Sequence, residues 1–148
     1  MLKRFTVTIL ILFALISVTA NAQGKLGLVG KIFDKKEANV LFGDVKSSTE
    51  LKPNVLKQAL LSAKDYVLIT VRNGRISLAD EKKQVLAGDI QAIGTTETVY
   101  VISKDKMAEF VSLIGSAPIV VEERSGTITI TATDYTLEQL LSCPPICF

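Results

Sequence analysis

Two cysteines near the end of the chain, Cys143 and Cys147, are separated by two prolines and an isoleucine. In an oxidising compartment, a close even pair most simply forms an intramolecular disulfide. The prolines bend the intervening chain, so closure costs little entropy, and the bridge is expected to stabilise the tail by about 2 kcal/mol. Three other uses stay open: a redox-active pair, a disulfide between two chains, and a zinc site completed by carboxylates.

The chain contains no histidine. This excludes the Ser-His-Asp and Cys-His nucleophile systems and any imidazole metal site. The spacing of Gly24, Gly27 and Gly30 is similar to that of a glycine-rich phosphate-binding loop, but these glycines follow no predicted strand. They indicate a flexible segment ahead of the first predicted element. We therefore expect no catalytic residue, no metal and no cofactor.

The first 22 residues have the pattern of a secretory signal. A basic start and an apolar run over residues 5–18 precede small residues at Ala20 and Ala22, which predicts cleavage between Ala22 and Gln23. The alternative is an uncut membrane anchor, for which the run is short of the roughly 20 residues that a spanning helix needs. The pattern predicts a periplasmic or secreted protein with no membrane span after cleavage.

The charge balance changes once this leader is removed. The whole chain has 17 basic and 15 acidic residues, and the loss of Lys3 and Arg4 leaves 15 of each. A neutral chain lacks the excess of Lys and Arg that displaces counterions from nucleic acid, so that class of partner is disfavoured. Residues 23–148 have the length of a single domain.

A β-hairpin is the clearest predicted element. Residues 66–72 are apolar and β-prone, Asn73-Gly74 is a strong two-residue turn signal, and residues 75–80 return. The turn places Arg72 opposite Arg75. One face of this hairpin is then apolar, comprising Val67, Ile69, Val71, Ile76 and Leu78.

A second hairpin follows 52 residues later. Residues 118–124 form its first strand, Ser125-Gly126 forms the turn, and residues 127–133 form its second strand. The register makes Arg124 the equivalent of Arg72. Its apolar face comprises Ile119, Val121, Ile128, Ile130 and Ala132.

A helix and a strand are predicted before each hairpin. The strands fall at residues 45–51 and 99–102, and the helices are indicated by apolar residues at i, i+3, i+4 and i+7. These helical positions are Leu56, Ala59, Leu60 and Ala63 in one unit, and Met107, Phe110, Val111 and Ile114 in the other. The pattern predicts an internal duplication, with units at about 45–80 and 98–133.

The expected fold class is α+β, a mostly antiparallel sheet with the two amphipathic helices on one face. Outside the repeat, capping-box spacing at Asp34 predicts a short helix that ends at Gly43. A short strand is expected at 84–87. One or two helical turns are expected after Thr133, indicated by Leu137, Leu140 and Leu141.

The opposite face of the sheet is the candidate binding face. It carries Leu68 and Arg72 from the first hairpin and Val120 and Arg124 from the second. The two arginines suit a carboxylate or another anion. The alternative is that they are solvated charges at the ends of strands.

Tandem helix-plus-hairpin units resemble, in architecture only, PepSY-like domains and the proteinaceous β-lactamase inhibitor. The leading hypothesis is a small exported non-catalytic module that binds a protein or peptide. One alternative, a specific version of this hypothesis, is an inhibitor of a secreted or periplasmic hydrolase, which a rigid two-layer scaffold presenting two hairpin turns would suit. Another is a structural or envelope-stress protein with no dedicated ligand, and an enzyme that relies on carboxylates, Lys, Ser or the tail cysteines ranks last.

Overall fold

A computed structural model describes residues 27–138 and the backbone of residues 141–143. The predicted signal peptide, its cleavage site at Ala22 and Gln23, and Cys147 lie outside the described residues. The elements in chain order are β1 (Lys31–Asp34), α1 (Lys35–Phe42), β2 (Ser47–Leu51), α2 (Pro53–Ser62), β3 (Tyr66–Arg72), β4 (Arg75–Ala79), β5 (Val85–Gly88), β6 (Val99–Ser103), α3 (Lys104–Ile114), β7 (Ile119–Glu123), β8 (Ile128–Ala132), β9 (Tyr135–Glu138) and β10 (Leu141–Cys143).

The fold is mixed α+β with two antiparallel sheets and three helices in the described part of the chain. Sheet 1 has the strand order β1-β9-β8-β7-β2, and sheet 2 has the order β10-β6-β3-β4-β5. The expectation of one sheet was therefore wrong. The two hairpins lie in different sheets, and each pairs on one side with a strand that is distant in sequence, β3 with β6 and β7 with β2.

Both hairpins have the register that their turns dictate. Arg72 lies opposite Arg75 in β3–β4, and Glu123 lies opposite Ile128 in β7–β8. At the first turn, Asn73 and Gly74 both have positive φ, as a type I′ turn requires. The alternation of side chains then turns one apolar face of each hairpin towards the same interior.

The two sheets share one apolar core with α2 and α3. Each helix buries its stripe of i, i+3 and i+4 residues in this core, which gives two short helices a packing partner that they lack alone. The buried members are Leu51, Leu56, Ala59, Ala63, Val67, Ile69, Ile76, Leu78, Ile102, Met107, Phe110, Ile114, Ile119, Val121, Ile128, Ile130, Ala132 and Leu137.

The helix α1 packs against β1 and β9 on the side of sheet 1 away from this core. It begins as predicted at Asp34, whose side chain accepts a hydrogen bond from the Lys36 backbone N–H at 2.8 Å. The rings of Phe33 and Phe42 meet edge to face, with centroids 5.2 Å apart. Sequence reasoning missed β1, the strand that carries Phe33, because four residues are too few to show an alternation.

The segment after Thr133 is extended rather than helical. Thr133 has a φ of 52°, and the turn there leads β8 into β9, which pairs with β8 and β1. The backbone of Cys143 lies in β10, opposite Val99 of β6. The predicted helical turns were wrong because Leu137 also fits an alternating pattern, and two available strand edges decide between the two conformations.

The described residues contain no helix that is both long enough and apolar enough to cross a membrane.

Gly88 gives the first testable prediction, because β4 passes very close to it. It has a φ of 119°, and a Cβ there would stand 2.4 Å from the Ile76 carbonyl oxygen and 2.6 Å from the Ser77 Cα. We expect Gly88→Ala to lower the free energy of unfolding by about 2 to 4 kcal/mol in urea titrations. Gly94→Ala, where the nearest atom is 3.8 Å away, is the control and should change it by less than about 0.5 kcal/mol. Equal unfolding midpoints for the two variants would contradict this reading of the β4–β5 contact.

Candidate functional site

The four residues of the candidate binding face do not form one exposed surface. Leu68 is fully buried and Arg124 is 4% exposed, whereas Val120 is half-buried and Arg72 is exposed. They also belong to different sheets. Leu68 and Arg72 lie in sheet 2, whereas Val120 lies in β7 of sheet 1 and Arg124 directly follows that strand. Only Arg72 is positioned as an exposed face requires.

The outer face of sheet 2 is covered by the chain itself. Leu68 packs there in a second apolar cluster, with Val29 from the segment before β1 and Ile93 from the loop after β5. The remaining members are Tyr66, Ala79, Val99 and Val101. The expectation that Leu68 meets water or a partner is corrected, because the 89–98 loop and residue 29 occupy that side.

Arg124 is the centre of a buried polar network on the outer face of sheet 1. Its guanidinium donates to Glu122 at 2.7 Å and to Thr129 at 3.1 Å. It also donates to the Asn39 side chain at 2.9 Å and to the Gly43 carbonyl oxygen. These contacts join the end of β7 to the middle of α1 and to the residue that follows its C-terminus. The reading of Arg124 as a solvated charge was wrong, because the guanidinium is used to hold α1 on the sheet.

Glu122 accepts three hydrogen bonds within this network. The hydroxyls of Thr129 and Thr131 donate to the same carboxylate oxygen as Arg124, at 3.0 and 2.9 Å. Burial alone would raise the pKa of Glu122, but the hydrogen bonds from Arg124, Thr131 and Thr129 outweigh it and hold the pKa below its usual range. The threonine row of β8 is therefore a set of donors for a buried carboxylate.

Glu138 is a second buried carboxyl group on this face, and it is only half satisfied. Thr127 donates to its Oε1 at 3.1 Å, whereas its buried Oε2 has no hydrogen-bond partner within the described residues. Burial raises the pKa of Glu138, opposed only by the Thr127 hydroxyl. Lys31 lies directly opposite on β1, but its ammonium lies 4.5 Å from the centroid of the Phe33 ring.

The end of the β3–β4 hairpin shows a different arrangement of charge. Arg72 donates through Nε to one oxygen of Glu97 at 3.2 Å and through Nη2 to the other. Thr70 and the Gly94 backbone N–H also donate to Glu97, at 2.9 and 3.0 Å. Burial would raise the pKa of Glu97, but these donors, Arg72 first, lower it below the usual value.

Two further contacts fix the loop that carries Glu97. The Lys83 ammonium donates to three carbonyl oxygens of this loop, at Gly94, Thr95 and Glu97, with distances between 3.0 and 3.4 Å. The Ser77 hydroxyl exchanges hydrogen bonds with the backbone of Ile90, at 2.6 and 3.0 Å. The loop is therefore held against the outer face of sheet 2 at both of its ends.

An open pocket of about 430 Å³ lies between this loop and the hairpin turn. Ile90 is the buried residue of its lining, and Arg75, Asp89 and Gln91 are exposed. The full lining is Arg72, Asn73, Arg75, Asp89, Ile90 and Gln91. The Arg75 backbone pairs with β3, but within the residues that the structure describes its side chain makes no hydrogen bond or ion pair.

No group of three or more His, Cys, Asp or Glu side chains in the described ranges is placed to hold a metal ion. Glu97, Asp89 and Asn39, which shape the two polar sites, were missed by sequence reasoning. Each lies at least 14 positions along the chain from the arginines of its site, a distance over which local periodicity carries no signal. The spacing of Glu122 and Arg124 did carry one, because residues i and i+2 of a strand share a face.

Comparison with protein-family models, with curated proteins and with solved structures gave no match to this chain.

The arginines of the two hairpins, Arg72 and Arg124, give the second prediction. Arg124→Met leaves the buried Glu122 carboxylate without its cation, and we expect it to lower the free energy of unfolding by about 3 to 5 kcal/mol. Arg72→Met, which breaks a half-exposed pair, should cost no more than about 1 kcal/mol. Chemical unfolding of both variants at pH 7 measures the difference, and equal losses would contradict the structural roles assigned to the two residues.

The pKa shifts predict that the free energy of unfolding declines both as pH rises and as pH falls. Glu138 has a folded-state pKa above the ordinary 4.5, so its stabilising contribution is complete below pH 4.5 and is lost as pH rises through the folded pKa. The loss is about 1.4 kcal/mol for each pH unit between the two pKa values. Glu97 and Glu122 have lowered pKa values, so their contributions are present above pH 4.5 and are lost as pH falls.

Glu138→Gln should remove the decline above pH 4.5 and leave the acid limb unchanged. Free energies of unfolding measured from pH 3 to pH 8 test this, with Glu50→Gln, an exposed change on β2 of the same sheet, as the control. A Glu138→Gln profile parallel to the parent profile across this whole range would refute the assignment.

Proposed function

We propose that this chain is a small exported, non-catalytic module that binds a protein or peptide partner at the end of the β3–β4 hairpin. Export is argued from the leader pattern of residues 1–22, and the lack of catalysis from the absence of histidine in the chain. The observation that carries the choice of site is that the outer face of each sheet is occupied by the chain itself. The hairpin end is left with an open pocket and an unpaired arginine.

Three features of this pocket suit a macromolecular partner better than a buried small molecule. It is open to solvent along the turn, its charged side chains are exposed, and only Ile90 of its lining is buried. Sites for small ligands usually enclose most of the ligand in an apolar cavity. A partner that lies across the hairpin end can contact Arg72, Arg75 and the loop side chains together without entering the fold.

The proposal includes an internal duplication. The order strand, helix and hairpin occurs twice, as β2-α2-β3-β4 and as β6-α3-β7-β8. The leading strand of each unit pairs with the hairpin of the other, β2 with β7 and β6 with β3. This reciprocal pairing supports two related units, whose hairpin ends have since taken different environments.

Position-specific cross-linking tests the proposed docking site. A photo-reactive residue at Gln91, on the rim of the pocket, is compared with the same residue at Ser125, in the turn of the other hairpin. We expect a discrete product from the native envelope fraction at position 91 only, competed away by excess unlabelled protein. Labelling that is equal at both positions, or that excess protein does not compete, would refute the site.

The identity of a competed product distinguishes versions of the proposal. A hydrolase whose activity falls when it is mixed with the purified chain selects the inhibitor version. The lack of any competed product at either position favours a structural or envelope-stress protein over a binding module.

A further inference from the structure

The charge arrangement at the hairpin end is incomplete. Arg72 and Arg75 stand directly opposite each other across β3 and β4, where like charges destabilise a strand pair. Glu97 neutralises Arg72, but in the described residues no group neutralises Arg75. One cation of this cross-strand pair therefore lacks the partner that the other has.

Glu97 shows how this end of the hairpin holds a carboxylate. Both of its oxygens accept from the forked guanidinium of Arg72, and the Gly94 backbone N–H and the Thr70 hydroxyl add two more donors. This is the bidentate geometry for which a guanidinium is suited. Arg75 carries the same group and lines the pocket together with Asn73 and Gln91.

We propose that the pocket binds a carboxylate group of the partner, with Arg75 as the cation that recognises it. This inference rests on the proposed function, because it takes the pocket as the docking site. Ile90 is the apolar residue of the lining and would meet the stem that carries the carboxylate. Asn73 and Gln91 line the same pocket, and their side-chain amides are hydrogen-bond donors. The shared chemistry covers two sources, an Asp or Glu side chain and the carboxyl terminus of a peptide.

Asp89 opposes this binding, so its removal is expected to have the opposite effect to the removal of Arg75. It is exposed on the same rim and forms no ion pair with Arg75. Its negative charge repels an entering carboxylate, and it limits the pocket to ligands that keep a distance from that side. Removing this charge should strengthen the binding that removal of Arg75 weakens.

Three capped tripeptides serve as the ligands of the test. Acetyl-Gly-Glu-Gly amide carries a side-chain carboxylate, acetyl-Gly-Gly-Gly with a free end carries a terminal carboxylate, and acetyl-Gly-Gln-Gly amide carries neither. Shifts of the Arg75 Nε–H and the Gln91 side-chain amide in NMR titrations report binding, with dissociation constants expected at about 1 mM or weaker. The stronger of the first two ligands identifies the source of the carboxylate.

Substitutions of exposed residues test the roles of the charges. We expect Arg75→Gln to weaken carboxylate binding by at least about tenfold and Arg75→Lys to retain part of it, because the lysine keeps the charge and loses the fork. Asp89→Asn should strengthen it several-fold. Lys57→Gln, which removes one exposed positive charge from α2, is the control and should leave it unchanged.

Binding of the glutamine peptide with the affinity of the glutamate peptide would overturn the inference, as would equal effects of Arg75→Gln and Lys57→Gln. The two proposals fail separately. A competed cross-link at position 91 that survives Arg75→Gln keeps the docking site and removes the carboxylate. Carboxylate binding without any cross-link keeps the ligand chemistry and removes the partner.

Discussion

Reciprocal strand pairing is the constraint on which the fold depends. The strand β2 pairs with β7 of the second hairpin, and β6 pairs with β3 of the first. An open strand edge exposes unpaired backbone donors and acceptors, so each hairpin needs a strand from a distant part of the chain. The interior follows from the same pairing, because it brings the apolar faces of both hairpins and both amphipathic helices into one core.

The outer faces of the sheets are each covered in a different way. A polar network joins sheet 1 to α1 through Arg124, whereas an apolar cluster around Leu68 joins sheet 2 to the loop after β5. The turns of the two hairpins therefore lie in different surroundings. Arg124 is buried at the end of its hairpin, where it holds α1 on sheet 1. The β3–β4 hairpin keeps its end open to solvent, so the candidate site lies on that hairpin alone.

Local signals were enough for much of the secondary structure. Asn73-Gly74 and the alternation around it gave the register of the first hairpin, and Asp34 with Gly43 gave the limits of α1. Ser103 illustrates the limit of such signals. It stands at the first boundary of α3 as a cap should, but its hydroxyl accepts from the Val29 backbone N–H instead.

The division into two sheets had no comparable signal in the sequence. Pairing of β2 with β7 depends on which edges meet after collapse, and the composition of a five-residue strand does not encode that choice. The candidate site also depends on contacts that have no local signal in the sequence. Arg72 could be named from the turn, but its partner Glu97 and the pocket wall at residues 89–91 come from a loop whose path is set by contacts distant in sequence.

Lys83 has a chemical consequence of its own. Its ammonium is saturated by three carbonyl acceptors, and its backbone has a φ of 61°, so the side chain is held in place from both ends. An amine in this state is a poor nucleophile towards acylating reagents, whereas the adjacent Lys82 is exposed and free to react. Acylation at position 83 therefore requires that the hydrogen bonds between the ammonium and the loop first break.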